Sequence, residues 1–495
     1  MSLHAEARSG VRWTAFAAGG QIIAQLLQLV VVARVLRPED FGLMGMVVVV
    51  LGLTQAYADV GISAAIVYHQ GLSRAQLSSL YWLNMLVGAL LFGALWLAAP
   101  LASALFHEPR LVPLVQVTGI VFLIQPIGRQ FEAILQRDLR FDVLARQDLF
   151  GAASGAVAAI AGALGGLGVW ALVLGTLVTA VARAVLVASE GLRLHRPALH
   201  FRWSDVRGLV GFGLYQMGER TISYIGQRLD QFLVGSMLGA EALGFYSFAL
   251  NLISQPVNRI NPVVTKVAFP LFCRVQDEPV RLRRGFVKML ELVTAINAPL
   301  LLGLAAVAPW FIVVVFGAKW AAAIPLVQVL ALVGLGRCIG NLKGSLLLAR
   351  GRVDLGFWWN VLLLALNVPA LVVGVRYGGA LGVAVMLLAT QVVLGALGYP
   401  VLVRPTAGDC GREYLGAVAT PLALALMATL PMYLLGSLVP WNDAAVLAIQ
   451  IAGAVLVYLV ALRALTPGLY AELRRFLPGG SGTGRAMIAP TSAEL

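Results

Sequence analysis

The stretch 25–42, QLLQLVVVARVLRPEDFG, has a second copy at 227–244, QRLDQFLVGSMLGAEALG, and this repetition decides how the chain is read. At a shift of 202 residues, six of 18 positions are identical: Gln25/Gln227, Leu27/Leu229, Val32/Val234, Leu36/Leu238, Glu39/Glu241 and Gly42/Gly244. Chance in such a composition gives roughly one or two, so the pair marks an internal duplication. In each copy an apolar run ends in a short turn and a second apolar run begins. In the first, Pro38 suits the opening position of a helix, and Glu39 and Asp40 are favourable in its first turn.

Apolar runs of 18 or more residues recur outward from this turn, from Ala15 to Leu465. Each is long enough to cross about 30 Å of hydrocarbon. The 495 residues are 60% hydrophobic and 12% charged, which excludes an ordinary soluble domain. The pattern predicts an all-α polytopic membrane protein of 14 spans: 14–35, 42–68, 79–105, 111–135, 148–168, 169–191, 209–237, 243–272, 288–316, 324–349, 355–376, 377–403, 414–436 and 444–466. The polar first dozen residues and the span-length first apolar run predict no cleaved signal peptide. Because the repeat shift covers six spans, both copies have the same topology. That is a parallel repeat, which places a transporter's binding site where its halves meet.

The expected organisation is an N-terminal six-helix bundle over 1–195 and a C-terminal one over 196–404. Helices 13 and 14 follow over 405–466, then a tail over 467–495 whose last part reads as disordered. Of 36 Lys and Arg, 23 fall on one side together with both termini, five fall opposite, and eight lie inside spans. Positive loops stay cytoplasmic, so both termini are expected there. Scattered through short loops, the net charge of +13 reads as a topology signal and not as a nucleic-acid groove. Three cysteines and five dispersed histidines offer neither a disulfide framework nor a metal site, and no cofactor is expected beyond a coupling H+ or Na+.

The seventh span, LYQMGERTISYIGQRLDQFLVG (214–235), has one narrow apolar stripe: Gly218, Ile222, Ile225, Leu229 and Phe232. Glu219, Arg220, Arg228 and Asp230 lie off that stripe. Each costs at least ~2.5–3.5 kcal/mol at mid-bilayer, so they must meet a watery cavity or partners inside the bundle. Pairing of Arg228 with Asp230 is the structural alternative. The eighth span carries Ser247, Asn251, Ser254, Asn258, Asn261 and Thr265 on one face. Arg259 and Lys266 flank that face, and Pro256 and Pro262 interrupt the helix, as tolerated where backbone lines a cavity. Gln125-Arg129-Glu132 and Arg337-Asn341-Ser345 mark spans 4 and 10, and Arg129 and Glu132 have the spacing to neutralise each other. Cations inside the spans (with Arg183 and Lys343 added) slightly outnumber acids, and guanidinium groups suit an anionic cargo. Asp59, Glu219 and Asp230 either carry a coupling proton or sodium ion or hold the arginines in place.

Several stretches resemble the polysaccharide transporters of the multidrug/oligosaccharidyl-lipid/polysaccharide exporter superfamily, in the colanic acid/lipopolysaccharide exporter subgroup. They are VLRPEDFGLMGM (35–46), YADVGISAAIVYHQGLSRAQLSSLYWLN (57–84), ILQRDLRFDVLARQD (134–148), RLDQFLVGSMLGAEALGFYSFA (228–249) and FGAKWAAAIPLVQVLAL (316–332). The resemblance implies two six-helix bundles working by alternating access on an undecaprenyl-pyrophosphate-linked oligosaccharide in a bacterial inner membrane. Polymerase and glycosyltransferase partners of the same pathway are implied with it. It points to Arg220 and Arg228 as pyrophosphate ligands, and Arg129, Asn258, Arg259, Lys266 and Arg337 complete the expected headgroup contacts. Two alternatives stand beside it. A repeat-unit polymerase or ligase would need a larger outside loop than this chain offers, and a cation-coupled drug exporter would have a mostly apolar pocket.

Overall fold

The computed structural model describes the backbone of residues 3–476 except 56, 59–65, 67–71, 139 and 439–442. Side chains are described over the same range except 3–16, 18, 208–220, 222, 223, 256, 259–267, 353, 475 and 476. The described residues form helices and turns only. In chain order these are α1 (Leu3–Val35), α2 (Pro38–Gln55), α3 (Arg74–Phe106), α4 (Leu111–Thr118), α5 (Val121–Arg137), α6 (Phe141–Leu164) and α7 (Val169–Leu194). There follow α8 (Trp203–Arg274), α9 (Pro279–Phe316), α10 (Ile324–Ala349), α11 (Val353–Gly398), α12 (Gly411–Leu438), α13 (Asp443–Leu465) and α14 (Pro467–Phe476). Among the described residues ten helical segments are long and apolar enough to cross a membrane, and Gly19–Val35 is a shorter apolar helix.

Two helices are too long to be single spans. At 1.5 Å per residue, the 72 residues of α8 would run roughly 108 Å and the 46 of α11 roughly 69 Å. Each breaks at a glycine with positive φ, Gly239 (φ 85°) and Gly379 (φ 57°), a conformation that L side chains rarely adopt. At the α11 bend the arms meet backbone to backbone: a Cβ on Gly374 would lie 2.7 Å from the Gly382 carbonyl oxygen. With both bends counted, the described helices are compatible with fourteen spans.

The helix opening at Pro38 begins as expected. Asp40 accepts a hydrogen bond from the Arg37 backbone N–H at 2.9 Å, satisfying a donor in the turn before the helix. It ends earlier than the expected 42–68 span: after Gln55 the chain enters a turn closed by Tyr57 N→Thr54 O and Ala58 N→Gln55 O, both 3.1 Å. The remainder of that span falls outside the described residues, apart from buried Ile66. The expected span 111–135 is split between α4 and α5 around Gly119 and Ile120, and the second segment carries Pro126.

The duplication reaches further than its first signature. At a shift of 212 residues, PLVQV recurs at 113–117 and 325–329, and the match extends through Gly128/Gly340 to Arg140/Arg352 and Asp142/Asp354. The same local structure forms at both copies. Arg140 pairs with Asp142 at 3.5 Å and Arg352 with Asp354 at 3.0 Å. The two arginine N–H groups close their preceding helices onto Leu135 O and Leu347 O at 2.8 and 2.9 Å.

The helices gather into two compact units, 1–247 and 248–495. In the first, Leu80, Phe131, Leu135, Val187 and Val206 belong to one buried apolar cluster. The segment 195–203 is strapped to the start of α3. Trp82 Nε1 donates to Ala198 O (2.8 Å), Ser78 Oγ accepts from Ala198 N (3.1 Å), and Ser79 Oγ accepts from Arg202 N (3.1 Å). Ser79 Oγ also donates to Asp205, which His200 meets at 3.0 Å. In the second unit Trp320, fully buried, stacks on Phe248 at 4.2 Å, and Phe316 meets Phe248 edge-on at 4.9 Å. Tyr458 OH donates to Ala295 O at 2.6 Å and ties α13 to α9.

His195 gives this strap a pH dependence. Burial, aided by the positive charge of Arg74, pushes its imidazole below the ordinary value of about 6.5. The unfolded chain therefore binds a proton that the folded chain refuses. Stability is expected to be full above about pH 6.5 and to fall as pH drops below it. Thermal unfolding in detergent at pH 7.5 and 5.5 checks this, and His195→Gln should shrink the difference.

Candidate functional site

The first unit contains a cavity of about 330 Å³ between α5 and α7. Gln125, Arg129 and Glu132 face it from α5 at steps of four and three, and Thr176, Thr179 and Arg183 face it from α7 at steps of three and four. Beneath it the helices cross closely, since a Cβ on Gly128 would lie 3.3 Å from Ala184 Cα. Six of the ten lining residues are polar or charged.

Its side chains are held by a third and a fourth helix. Arg183 is ion-paired with Asp148 of α6, and Glu132 Oε1 accepts from Gln147 Nε2 at 3.0 Å. Arg129 Nη2 donates to Gln125 Oε1, which also accepts from Gln55 Nε2 of α2, each at 3.3 Å. The helical spacing of Arg129 and Glu132 thus does not decide their partners. Gly151 of α6 makes room for the Arg183 stem: a Cβ there would lie 2.5 Å from Arg183 Cγ. Thr176 and Thr179 donate to Leu172 O and Gly175 O, so their hydroxyls offer the cavity only lone pairs.

In charge, Arg129 and Arg183 are balanced by Glu132 and Asp148. An anion entering the cavity meets one guanidinium on a neutral amide and a second that can turn from its carboxylate. Such a pair grips oxyanions by charge-assisted hydrogen bonds.

The other expected residues divide as follows. Arg228 is half-buried and donates to Gln231 Oε1 at 2.8 Å, not to Asp230. Asp230, 4% exposed, accepts from Tyr246 OH across the Gly239 bend and from Gln231 N, both at 2.8 Å. Asn258 is exposed on the second arm of α8. Arg337 is exposed on α10 at the repeat equivalent of Gln125. The side chains of Arg220, Glu219, Arg259 and Lys266, and all of Asp59, lie outside the described residues. Lys343, counted among the cations inside the spans, is buried against the Tyr414 ring, 5.6 Å from its centroid, at the repeat equivalent of Phe131. Glu190 and Glu291, two of the acids inside the expected spans, are paired with Arg193 and Lys288, both at 3.1 Å. Among the described residues no three His, Cys, Asp or Glu gather to hold a metal ion. The sequence reading left out Asp148 and the role of Arg183. The spacing Gly151-Gly155 opposite Gly175-Thr179-Arg183 is the signal that could have found them.

The fold is that of membrane transporters of the multidrug/oligosaccharidyl-lipid/polysaccharide exporter superfamily. It resembles the lipid II flippase MurJ in an inward closed conformation, with a TM-score of 0.74 at 16% identity over 93% of this chain and 99% of that one. Residues 31–325 match the polysaccharide biosynthesis protein family, and the chain belongs to that family. It is 34% identical to the lipopolysaccharide biosynthesis protein WzxC of Escherichia coli (strain K12), over 88% of this chain and 89% of that protein. It is also 34% identical to the teichuronic acid biosynthesis protein TuaB of Bacillus subtilis (strain 168), over 77% and 79% respectively. The chain is a multi-pass membrane protein with the fold of membrane transporters.

Proposed function

We propose that the chain is a flippase for polyprenyl-pyrophosphate-linked oligosaccharide repeat units. It would move them from the cytoplasmic to the outer leaflet of a bacterial cytoplasmic membrane for exopolysaccharide or lipopolysaccharide synthesis. The observation that carries this reading is the pair of arginines, Arg129 and Arg183, facing one polar cavity in a member of this family. A pyrophosphate is the part of such a cargo that most resists leaving water, and paired guanidinium donors replace its hydration. The sugars would share the polar lining while the polyprenyl chain stays in lipid. Alternating access by bundles 1–195 and 196–404, with both termini cytoplasmic, completes the reading.

Arg228 belongs to the proposed contacts because Asp230, the acid two residues along that could neutralise it, is engaged by Tyr246. Arg220, Arg259, Lys266, Asn258 and Arg337 are proposed as further headgroup contacts on their sequence positions. Asp230, and with it Asp59 and Glu219, are proposed to take the H+ or Na+ whose re-entry resets the cycle.

Arg129→Ala and Arg228→Ala are each expected to accumulate lipid-linked repeat units on the cytoplasmic leaflet at unchanged protein level. Units accessible to periplasmic modification at the wild-type rate in both variants would remove the arginines from the mechanism. Loss of long polymer with units still reaching the outer leaflet would instead indicate a polymerase.

A further inference from the structure

The turn 35–42 and its copy 237–244 do more than mirror each other in sequence: they touch. A Cβ on Gly42 would overlap the carbonyl oxygen of Ala240, and a Cβ on Gly244 would overlap that of Pro38. At the shift of 202 residues, Gly42 corresponds to Gly244 and Pro38 to Ala240. The contact is therefore reciprocal, each repeat-related glycine receiving the carbonyl that corresponds to the one its own repeat presents. Only a missing side chain permits such an approach, and the gain is dispersion with Cα–H···O contact.

Below this point α2 presents two more glycines to α8. Gly45 faces Ser247 Oγ, where a Cβ would lie at 2.7 Å, and Gly52 faces the Tyr224 ring. Tyr224 OH donates to Val48 O at 2.9 Å and Val49 O at 3.1 Å. Above it, Arg110 bridges Glu39 and Glu108 at 2.5 and 2.8 Å, on an exposed rim. One feature of the seam is unfavourable as it stands: Ser247 Oγ is buried, with the residue 4% exposed, and has no hydrogen-bond partner. Its hydroxyl would gain a water if the seam parted. Gly239 supplies a bend within the second copy.

We infer that Gly42 and Gly244 form a pseudo-symmetric clasp that holds the outer ends of α2 and α8 shut, and that the clasp opens and closes as a unit during transport. The inference rests on the transporter reading for its purpose and on the proposed topology for the word outer. It does not depend on the cargo. The surrounding contacts fit a two-state element: backbone-to-backbone approach leaves no intermediate packing, and an unsatisfied buried hydroxyl sets a low barrier to wetting.

The test is accessibility of a cysteine placed at Ser247, after Cys273, Cys338 and Cys410 have been replaced by serine. With the clasp intact, Ser247→Cys should resist a membrane-impermeant maleimide applied to intact cells. Gly42→Leu and Gly244→Leu should each raise its labelling rate roughly tenfold, the scale on which one overpacking substitution shifts a two-state equilibrium. Gly93→Leu is the control, since a Cβ at Gly93 meets nothing within 4 Å. Gly42→Ala and Gly244→Ala carry the same comparison where the leucine variants are not recovered from the membrane. Labelling that stays slow in every clasp variant, or that rises as much with Gly93→Leu, overturns the inference. Because labelling needs no cargo, a chain that moved a different substrate would still pass.

Discussion

If the chain is the proposed flippase, export of the repeat unit is expected to fall about tenfold or more in Arg183→Ala, because a hydrogen bond to a charged group is worth about 1.5–3 kcal/mol. Arg183 spans two roles: it pairs with Asp148 and it faces the cavity. Removing it leaves a carboxylate without its partner, so a loss of transport could reflect either role. The side chains of the pair are 41% and 39% exposed, so neither charge is sealed inside the bundle as in a fully buried pair. The double variant Arg183→Ala/Asp148→Ala separates the two. It restores charge balance without restoring a cation to the cavity. Export that stays low in the double variant, measured as the fraction of lipid-linked units reaching the outer leaflet, assigns Arg183 to the cargo. Recovery to near the wild-type rate would reduce Arg183 to a counter-ion for Asp148. Arg183→Lys should fall between, since an ammonium keeps the charge and loses the planar fork.

The helices were legible where a turn residue bounds an apolar run. Pro325 fixes the start of α10, which spans 324–349 as expected, and Pro38 fixes the start of α2. Helix ends without such markers were not legible. The sixth and seventh helices of the chain, α6 and α7, extend to Phe141 and Leu194, because amphipathic turns continue a helix beyond the hydrocarbon. That extension matters for the site: Gln147 and Asp148 sit at the expected edge of a span yet lie a turn or more inside α6, facing Glu132 and Arg183. Asp230 was legible as buried and charged, but its partner was not. Arg228 is two residues away, and such neighbours point to different faces of a helix. Tyr246 reaches Asp230 only because Gly239 folds the chain back, a contact that local periodicity does not encode. One lysine among the in-span cations shows the opposite case. Lys343 has the composition of a cargo ligand, yet it is buried against the Tyr414 ring. Residue type alone could not distinguish it from Arg337, six residues earlier on the same helix.

Gly155→Leu is expected to remove most of the folded protein, because α6 and α7 approach too closely there for any side chain. A Cβ at Gly155 would overlap Thr179 Oγ1 and lie 2.8 Å from the Gly175 carbonyl oxygen, while one at Gly175 would lie 2.8 Å from Ala159 Cβ. Apolar burial drives helix association weakly in lipid, so close packing of small residues supplies most of what holds this hairpin. Overpacking it costs about 1–3 kcal/mol in a soluble core, and a backbone neighbour that cannot rotate away puts this site at the upper end. The measurement is the yield of monodisperse protein in detergent and its unfolding temperature. Gly155→Ala should be milder and partly rescued by Thr179→Ala, which removes the overlapping hydroxyl but leaves the Gly175 carbonyl in place. Full rescue would show that the hydroxyl alone sets the spacing, and no rescue would show that the carbonyl does. Arg183 lies one turn beyond Thr179 and is seated against Gly151, one turn from Gly155. The glycines that close the hairpin therefore also set the depth at which Arg183 enters the cavity. In the Gly155→Ala/Thr179→Ala pair, transport should recover less completely than stability.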